Sequence, residues 1–335
     1  RGLANYCFGM HKPGIVMVAV LTGNLVNICA NAVLIFGSAG APESMPFASA
    51  FQSIAQALGI EAMGVRGAAF GTVIGTAFEL TIPMILFLGP RWNKKYHSRA
   101  AWKPSMRAIK DLLRVGWPAG LMMGNELICW GYLMAVLLPM GGKVSGDDPV
   151  VHNTAGWIAL RFMHVAFMPA IGLSIAVSAM VGKAMGMRRP DLAAARTWLG
   201  LKVTLAYMGL CALSFILFRE WMIELFLPED MIAEERDAVL RVGATVMIAA
   251  AVFQLFDAMA IVMSAALRGA GDTVWPGIAT IVLSWTLIVG GGHAMIWLFP
   301  EMGSVGPWVG AAGYIIALGL AMFWRFLGGH WRSLS

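Results

Sequence analysis

Charge is what this sequence has least of. Only 13% of its 335 residues are Asp, Glu, Lys or Arg, about half the share carried by a soluble domain. That shortage excludes a water-soluble enzyme, a disordered regulator and a nucleic-acid-binding module, so no nucleic-acid partner is expected. Cysteine is also scarce. Cys7, Cys29, Cys129 and Cys211 lie far apart, with no CxxC and no metal-ligand spacing, and read as small buried hydrophobes. Enzyme signatures are missing: no HExxH, no G-x-S-x-G, no Walker loop and no paired aspartate motif for a prenyl diphosphate. Gly290-Gly291-Gly292 lies inside an apolar run without phosphate-loop context and reads as tight packing or a flexible point. No cofactor, no catalytic residue and no structural metal are expected.

What is present is hydrocarbon. Hydrophobic residues make up 59% of the chain, with 39 Gly and 24 Met, and the mean hydropathy is +0.73. Glycine in such quantity permits close helix packing in a membrane, and methionine supplies pliable apolar surface. A bilayer core of about 30 Å is crossed by roughly 20 apolar helical residues. Eight stretches qualify: Pro13–Gly37, Gly64–Gly89, Val115–Pro139, Thr154–Gly182, Ala195–Phe218, Val242–Ala266, Trp275–Phe299 and Val305–Gly328. The expected fold is an all-α polytopic membrane protein with the lipid bilayer as its solvent. An even number of spans puts both ends on one side. The chain opens with Arg1 rather than Met, without a signal-peptide pattern, and reads as the C-terminal part of something longer.

Lys and Arg set the orientation. Eighteen of the 24 fall in 90–114, 183–202, 267–274 and the two tails, with Arg325 at the end of the last span counted in the C-terminal tail, and four fall in the alternate segments. Arg66 and Arg161 lie within spans. The positive-inside rule then places both chain ends in the cytoplasm of a cell-membrane protein. The longest outer loop is acidic, with Glu229, Asp230, Glu234, Glu235 and Asp237. Between Trp102 and Arg114, Met106, Ile109, Leu112 and Leu113 recur at helical spacing while Arg107, Lys110 and Arg114 fall largely elsewhere, and Pro104 suits a first turn. This pattern predicts a basic amphipathic linker on the cytoplasmic surface. The expected domains are 1–89, the end of one lobe; 90–114, the linker; and 115–335, a six-helix lobe.

A repeat runs through the chain. Met63-Gly64-x-x-Gly67-x-x-x-Gly71 matches Met302-Gly303-x-x-Gly306-x-x-x-Gly310, each at the opening of a span. The span before each begins with Pro-Gly-Ile, at Pro13 and at Pro276. Spans 1 and 2 therefore resemble spans 7 and 8 in order and orientation. If spans 3 to 8 form one six-helix unit, spans 1 and 2 end a preceding one, and a parallel duplication of this kind is a transporter architecture.

Three acids lie within spans: Glu79, Glu126 and Asp257. A carboxylate at a helix centre costs about 2.5–3.5 kcal/mol on insertion scales and marks an ion or substrate pathway unless it is otherwise satisfied. Glu126 and Asp257 both fall near mid-membrane by the helical rise. Gln254 and Ser264 extend a narrow polar stripe around Asp257, and Gly120-x-x-x-Gly124 with Pro118 precedes Glu126. These two acids, with Gln254 beside them, are the candidate ion-coupling residues, read as a cation or proton site that cycles or as a pair of protonated, hydrogen-bonded structural acids. Arg161 shares a face of span 4 with His164 and suits either partnering an acid or snorkelling. Asn24, Asn27 and Asn31 line one face of span 1, where interhelical glue and a cavity wall are both open readings.

Several segments together are similar to one family. Leu267-Arg268-Gly269-Ala270-Gly271-Asp272-Thr273-Val274-Trp275-Pro276 resembles the signature before the eleventh helix of the multidrug and toxic compound extrusion transporters. Gly116-Trp117-Pro118-Ala119-Gly120 resembles the start of their seventh helix, and Phe167–Ala176 their eighth. Val181-Gly182 with Gly186 and Arg189-Pro190 resembles the basic loop that follows, and Gly23–Asn27 with Ile35-Phe36-Gly37 resembles the fifth helix. The resemblance implies helices five to twelve of a twelve-helix, two-lobe transporter, NorM-like, that uses no cofactor and is driven by Na⁺ or H⁺, with Na⁺ held transiently at Glu126 and Asp257. It implies export of small amphiphilic or cationic substrates by a monomer.

The NorM-like branch carries a glutamate on helix seven and an aspartate on helix ten, which Glu126 and Asp257 match; Gln254 falls in the same helix-ten segment. An aromatic hydroxyl sometimes found one turn before that aspartate is Phe253 here, and an acidic position late on helix five is Asn31. Met122, Met123, Trp130, Phe253 and Phe256, with Arg161, Asn27 and Asn31, are then the expected substrate-cavity residues. The competing readings are a flippase for a lipid-linked precursor on the related two-lobed architecture, and an inactive fragment of a split transporter.

Overall fold

The computed structural model describes residues 2–42, 45–100, 105–146, 149–228 and 231–333, which are almost wholly helical with no strand among them. Eight described helices are long and apolar enough to cross a membrane. Span 1 is Pro13–Ala39, span 2 Val65–Leu88, span 3 Gly116–Ser145 and span 4 Val150–Gly186. Span 5 is Pro190–Leu217, span 6 Ala233–Gly269, span 7 Val274–Leu298 and span 8 Val305–Leu327. Each coincides with one stretch read from the sequence, and the all-α polytopic architecture stands.

The chain divides into two compact units, Arg1–Met106 and Arg107–Ser335. In the first unit, spans 1 and 2 pack through glycine. Gly67, Gly71 and Gly75 recur every fourth residue and face Leu34, Asn31 and Asn27 so closely that a Cβ on any of them would collide. Gly23 receives Glu79 in the same way. With no hydrophobic drive between helices in lipid, this small-residue stripe is what lets two backbones approach. Beyond span 2, Trp92 gathers Tyr6, Phe87 and Tyr96 around buried Cys7 and Val16, with the Lys12 ammonium 4.8 Å from the Trp92 ring centre.

In the second unit, span 6 is the central helix, packed by spans 4, 5 and 8. Its small residues Ala250, Ala251, Ala258, Ala265 and Ala266 are buried. Span 8 comes onto it at Gly319, where a Cβ would lie 2.5 Å from the Phe256 carbonyl oxygen. The helix begins at Ala233, so Glu234 and Glu235 occupy its first turn, where acidic groups favour the positive end of the helix dipole. Glu229 and Asp230 lie outside the described residues.

The basic stretch before span 3 differs from expectation. Trp102 and Pro104 lie outside the described residues, but from Met106 the chain is helical without a break to Tyr132. Met106, Ile109, Leu112 and Leu113 are thus exposed on the opening turns of the span 3 helix, not on a separate linker helix. Residues 106–114 are mostly good helix formers. Pro118 removes one backbone donor without ending the helix.

After span 6, the turn Gly269–Thr273 is held by Asp272. Its amide donates to the Leu267 carbonyl at 2.9 Å, and its carboxylate accepts from Arg325 Nε at 2.8 Å. The Arg325 guanidinium also lies 5.3 Å from the Trp275 ring centre. Beside it, Trp331 stacks on Phe326 at 4.8 Å and donates from Nε1 to the Phe326 carbonyl.

Candidate functional site

In the second unit, Glu126 on span 3, Asp257 on span 6 and Tyr314 on span 8 share one electrostatic neighbourhood. Glu126 is half-buried, and its Oε1 accepts a hydrogen bond of 2.8 Å from the Tyr314 hydroxyl. Asp257, on span 6, lies within electrostatic reach of Glu126 and of Tyr314. Arg268 is within reach of Glu126 as well, while its guanidinium donates to Ser264 Oγ at 2.7 Å. Gln254, one turn before Asp257, is 2% exposed, and its Nε2 has no hydrogen-bond partner among the described residues. A buried amide donor left unpaired is costly, by about 1–3 kcal/mol. The cluster offers anionic and neutral oxygens in an apolar bundle, a donor set suited to a proton or a hard monovalent cation.

Two polar clasps join span 3 to span 7 beside this cluster. Asn125 Nδ2 donates to Ser284 Oγ, and Trp285 Nε1 donates to Asn125 Oδ1, both at 2.7 Å. Two turns further on, the Tyr132 hydroxyl and His293 Nε2 lie 3.0 Å apart. Each helix is π-helical next to its clasps, over Leu133–Leu137 in span 3 and Ser284–Gly290 in span 7. Such π turns are rare and cluster at functional sites.

The remaining candidates are scattered. Met122 and Trp130 are half-buried, and Trp130 packs against Trp308 with ring centres 6.3 Å apart. Met123 is exposed, whereas Phe253 is in the core and Phe256 is half-buried. Arg161 is exposed and lies over the Phe226 ring, 5.7 Å from its centre. No ion pair joins it to Glu126 or Asp257 among the described residues, so of its two readings the snorkelling one matches this geometry. His164 is also exposed and donates from Nδ1 to the Leu160 carbonyl at 3.0 Å. Asn27 and Asn31 belong to the first unit. Asn31 Nδ2 donates to Asn27 Oδ1 at 3.2 Å, and both side chains fill the space above Gly71 and Gly75. That is helix glue.

Sequence reasoning missed Tyr314 and Asn125. The signal for Tyr314 was its hydroxyl, the one side-chain oxygen in span 8. The signal for Asn125 was an amide next to a mid-span acid.

Comparison with known proteins bears on family and fold. The MatE family model matches residues 122–291. A probable multidrug resistance protein NorM from Shewanella oneidensis is 26% identical over 92% of this chain and 61% of its own length. The multidrug resistance protein MdtK of Yersinia pestis is 27% identical over 98% of the chain and 65% of its own. The chain thus spans about three fifths of the length of the curated relatives it matches. A solved outward-facing multidrug resistance MATE family transporter of the MOP superfamily superposes with a TM-score of 0.72 at 21% identity. That superposition covers 95% of this chain and 62% of the other, and shows the shared fold. With its family model running from the turn of Met122 through Glu126 and Asp257 into span 7, the chain belongs to the MatE family of multidrug and toxic compound extrusion transporters, which are not enzymes.

Proposed function

We propose that this chain serves in a secondary active antiporter that exports organic cations, drugs or toxic metabolites in exchange for Na⁺ or H⁺. The observation that carries the reading is the 2.8 Å hydrogen bond from the buried Tyr314 hydroxyl to Glu126, with Asp257 on another span within electrostatic reach of both. Two carboxylates in an apolar bundle repel each other and are poorly solvated. A proton or Na⁺ relieves both penalties, and its arrival or departure changes which packing of the helices is favoured. Coupled to export, this is alternating access: the ion enters from outside, the exported compound leaves, and release of the ion inside readies the site for cytoplasmic substrate. One inward elementary charge contributes about 2.3 kcal/mol per 100 mV, enough for accumulation ratios of tens.

In this reading the protein is a monomer in the cell membrane with both chain ends cytoplasmic. Residues 1–89 close one lobe, the segment from residue 90 links, and the other lobe opens with the helix that starts at Met106. Met122, Trp130 and Phe256 supply pliable, partly buried apolar surface near the acids for aromatic cations. The flippase alternative finds less support, since Arg161 lies over Phe226 and Arg268 is engaged with Ser264 and within reach of Glu126.

The test is ion-jump efflux of a fluorescent organic cation from vesicles holding the full-length protein, with sodium and proton gradients imposed separately. Gradient-driven efflux that vanishes in Glu126→Gln at matched insertion supports the antiporter and identifies its ion. Undiminished efflux in that variant refutes the assignment of Glu126.

A further inference from the structure

Span 8 is apolar from Val305 to Leu327 apart from its indole nitrogens, Arg325 and the phenol of Tyr314. Tyr314 is 1% exposed, so its hydroxyl has no recourse to solvent and is committed to Glu126 Oε1 at 2.8 Å. Five residues along the same helix, Gly319 lies against the Phe256 carbonyl, next to Asp257. Span 8 thus touches both acid-bearing helices, one through a hydrogen bond and the other through backbone contact. Phe253, one turn before Asp257, is buried and brings no hydroxyl to the cluster.

We infer that Tyr314 is the positioning residue of the ion site. Its hydroxyl fixes the Glu126 carboxylate by one oxygen and leaves Oε2 as the oxygen a cation takes. A donor of this kind does two things. It partly satisfies the carboxylate while the site is empty, which charge-assisted hydrogen bonds do strongly in a dry setting. It also keeps its own lone pairs as a neutral ligand once an ion is present. Because the phenol is carried by the helix that presses on span 6, occupancy at Glu126 is felt by the packing next to Asp257. The assignment rests on the ion-coupling reading of the two acids.

The experiment is infrared difference spectroscopy of the full-length protein between acid and alkaline buffer, alongside the efflux assay. The Glu126 carboxyl band is the one lost in Glu126→Gln. In Tyr314→Phe, an isosteric change, this band is expected to move. The driving-ion concentration that half-saturates efflux should change by about tenfold, the size of one charge-assisted hydrogen bond, with the maximal rate within about twofold of wild type. A merely structural tyrosine would lower the maximal rate or the yield and leave the band in place. Tyr132→Phe, which removes a phenol from the His293 pair, must leave the band unmoved. A band and half-saturation in Tyr314→Phe equal to wild type, or a band displaced equally by Tyr132→Phe, overturns the inference. If the band moves in Tyr314→Phe alone but wild type shows no ion-driven efflux, Tyr314 still positions Glu126 and the transport reading is what fails.

Discussion

Gly64 and Gly303 hold the same backbone conformation, φ 54° and ψ −126° in the first, φ 52° and ψ −130° in the second. Each closes the connection into its span. In each copy the next two glycines of the motif, Gly67 and Gly71 or Gly306 and Gly310, lie against the preceding span. The matching motifs therefore encode matching geometry: one residue with positive φ to turn the chain, then two without side chains to bring the helix home.

This geometry is tested by Gly64→Ala and Gly303→Ala. A side chain at this φ, ψ costs about 1–3 kcal/mol in backbone strain. At Gly64 nothing else stands in the way, whereas at Gly303 the new Cβ would lie 3.0 Å from Ser145 Oγ and 3.1 Å from His152 Cε1. Both variants should unfold earlier in detergent micelles, Gly303→Ala the more so. Equal melting curves for Gly303→Ala and wild type would contradict the strain.

The Asp272–Arg325 pair should behave as a coupled unit. Asp272 is 7% exposed and Arg325 23%, so removing one partner strands a charge in a mostly dry place. Arg325→Leu alone should cost about 3 kcal/mol, the lower end for a buried pair. Asp272→Asn in the same protein should recover part of that loss. A double-mutant cycle on thermal unfolding gives the coupling, and additive effects would show the pair to be inert.

The eight spans were legible in the sequence because their signal is redundant: some twenty apolar residues each, with basic residues gathered between alternate pairs. The acid pair was legible for a similar reason, since a lone carboxylate in a long apolar run stands out without any neighbour being known. Tyr314 was not. A tyrosine in a membrane helix has an ordinary packing role as often as a polar one, and only the fold brings its hydroxyl to Glu126 across 188 positions of sequence. The Asn27 and Asn31 face was legible as polar but not as occupied, because the glycines it fills lie on the next helix, 48 residues away from Asn27 and 40 from Asn31.

For Asn31 the contact with Gly71 predicts an effect on stability and not on transport. Its side chain is fitted against Gly71, so the larger, branched Asn31→Leu should overpack that contact and cost about 1–3 kcal/mol in thermal unfolding. The concentration of organic cation that half-saturates export should stay within about twofold of wild type, as for positions away from a binding site. A large change in half-saturation with intact stability would return Asn31 to the cavity wall.

Arg161→Ala tests the remaining basic residue. With its guanidinium exposed over Phe226, its loss should change ion-driven efflux of an organic cation by no more than about twofold. A collapse of efflux comparable to Glu126→Gln would mean that Arg161 belongs to the working site.

The π-helical turns in spans 3 and 7 alter how these helices are to be mapped. Pairing each amide with the carbonyl five residues back rather than four takes up an extra residue per turn, and one residue corresponds to about 100° around an α-helix. A helical wheel drawn in register from Glu126 therefore assigns the wrong faces beyond Leu137, and one begun at Trp275 slips in the same manner beyond Gly290. Cysteine-accessibility scans or engineered cross-links along either span should show a break in periodicity there. Pairs chosen to bridge the two helices must be counted separately on each side of it.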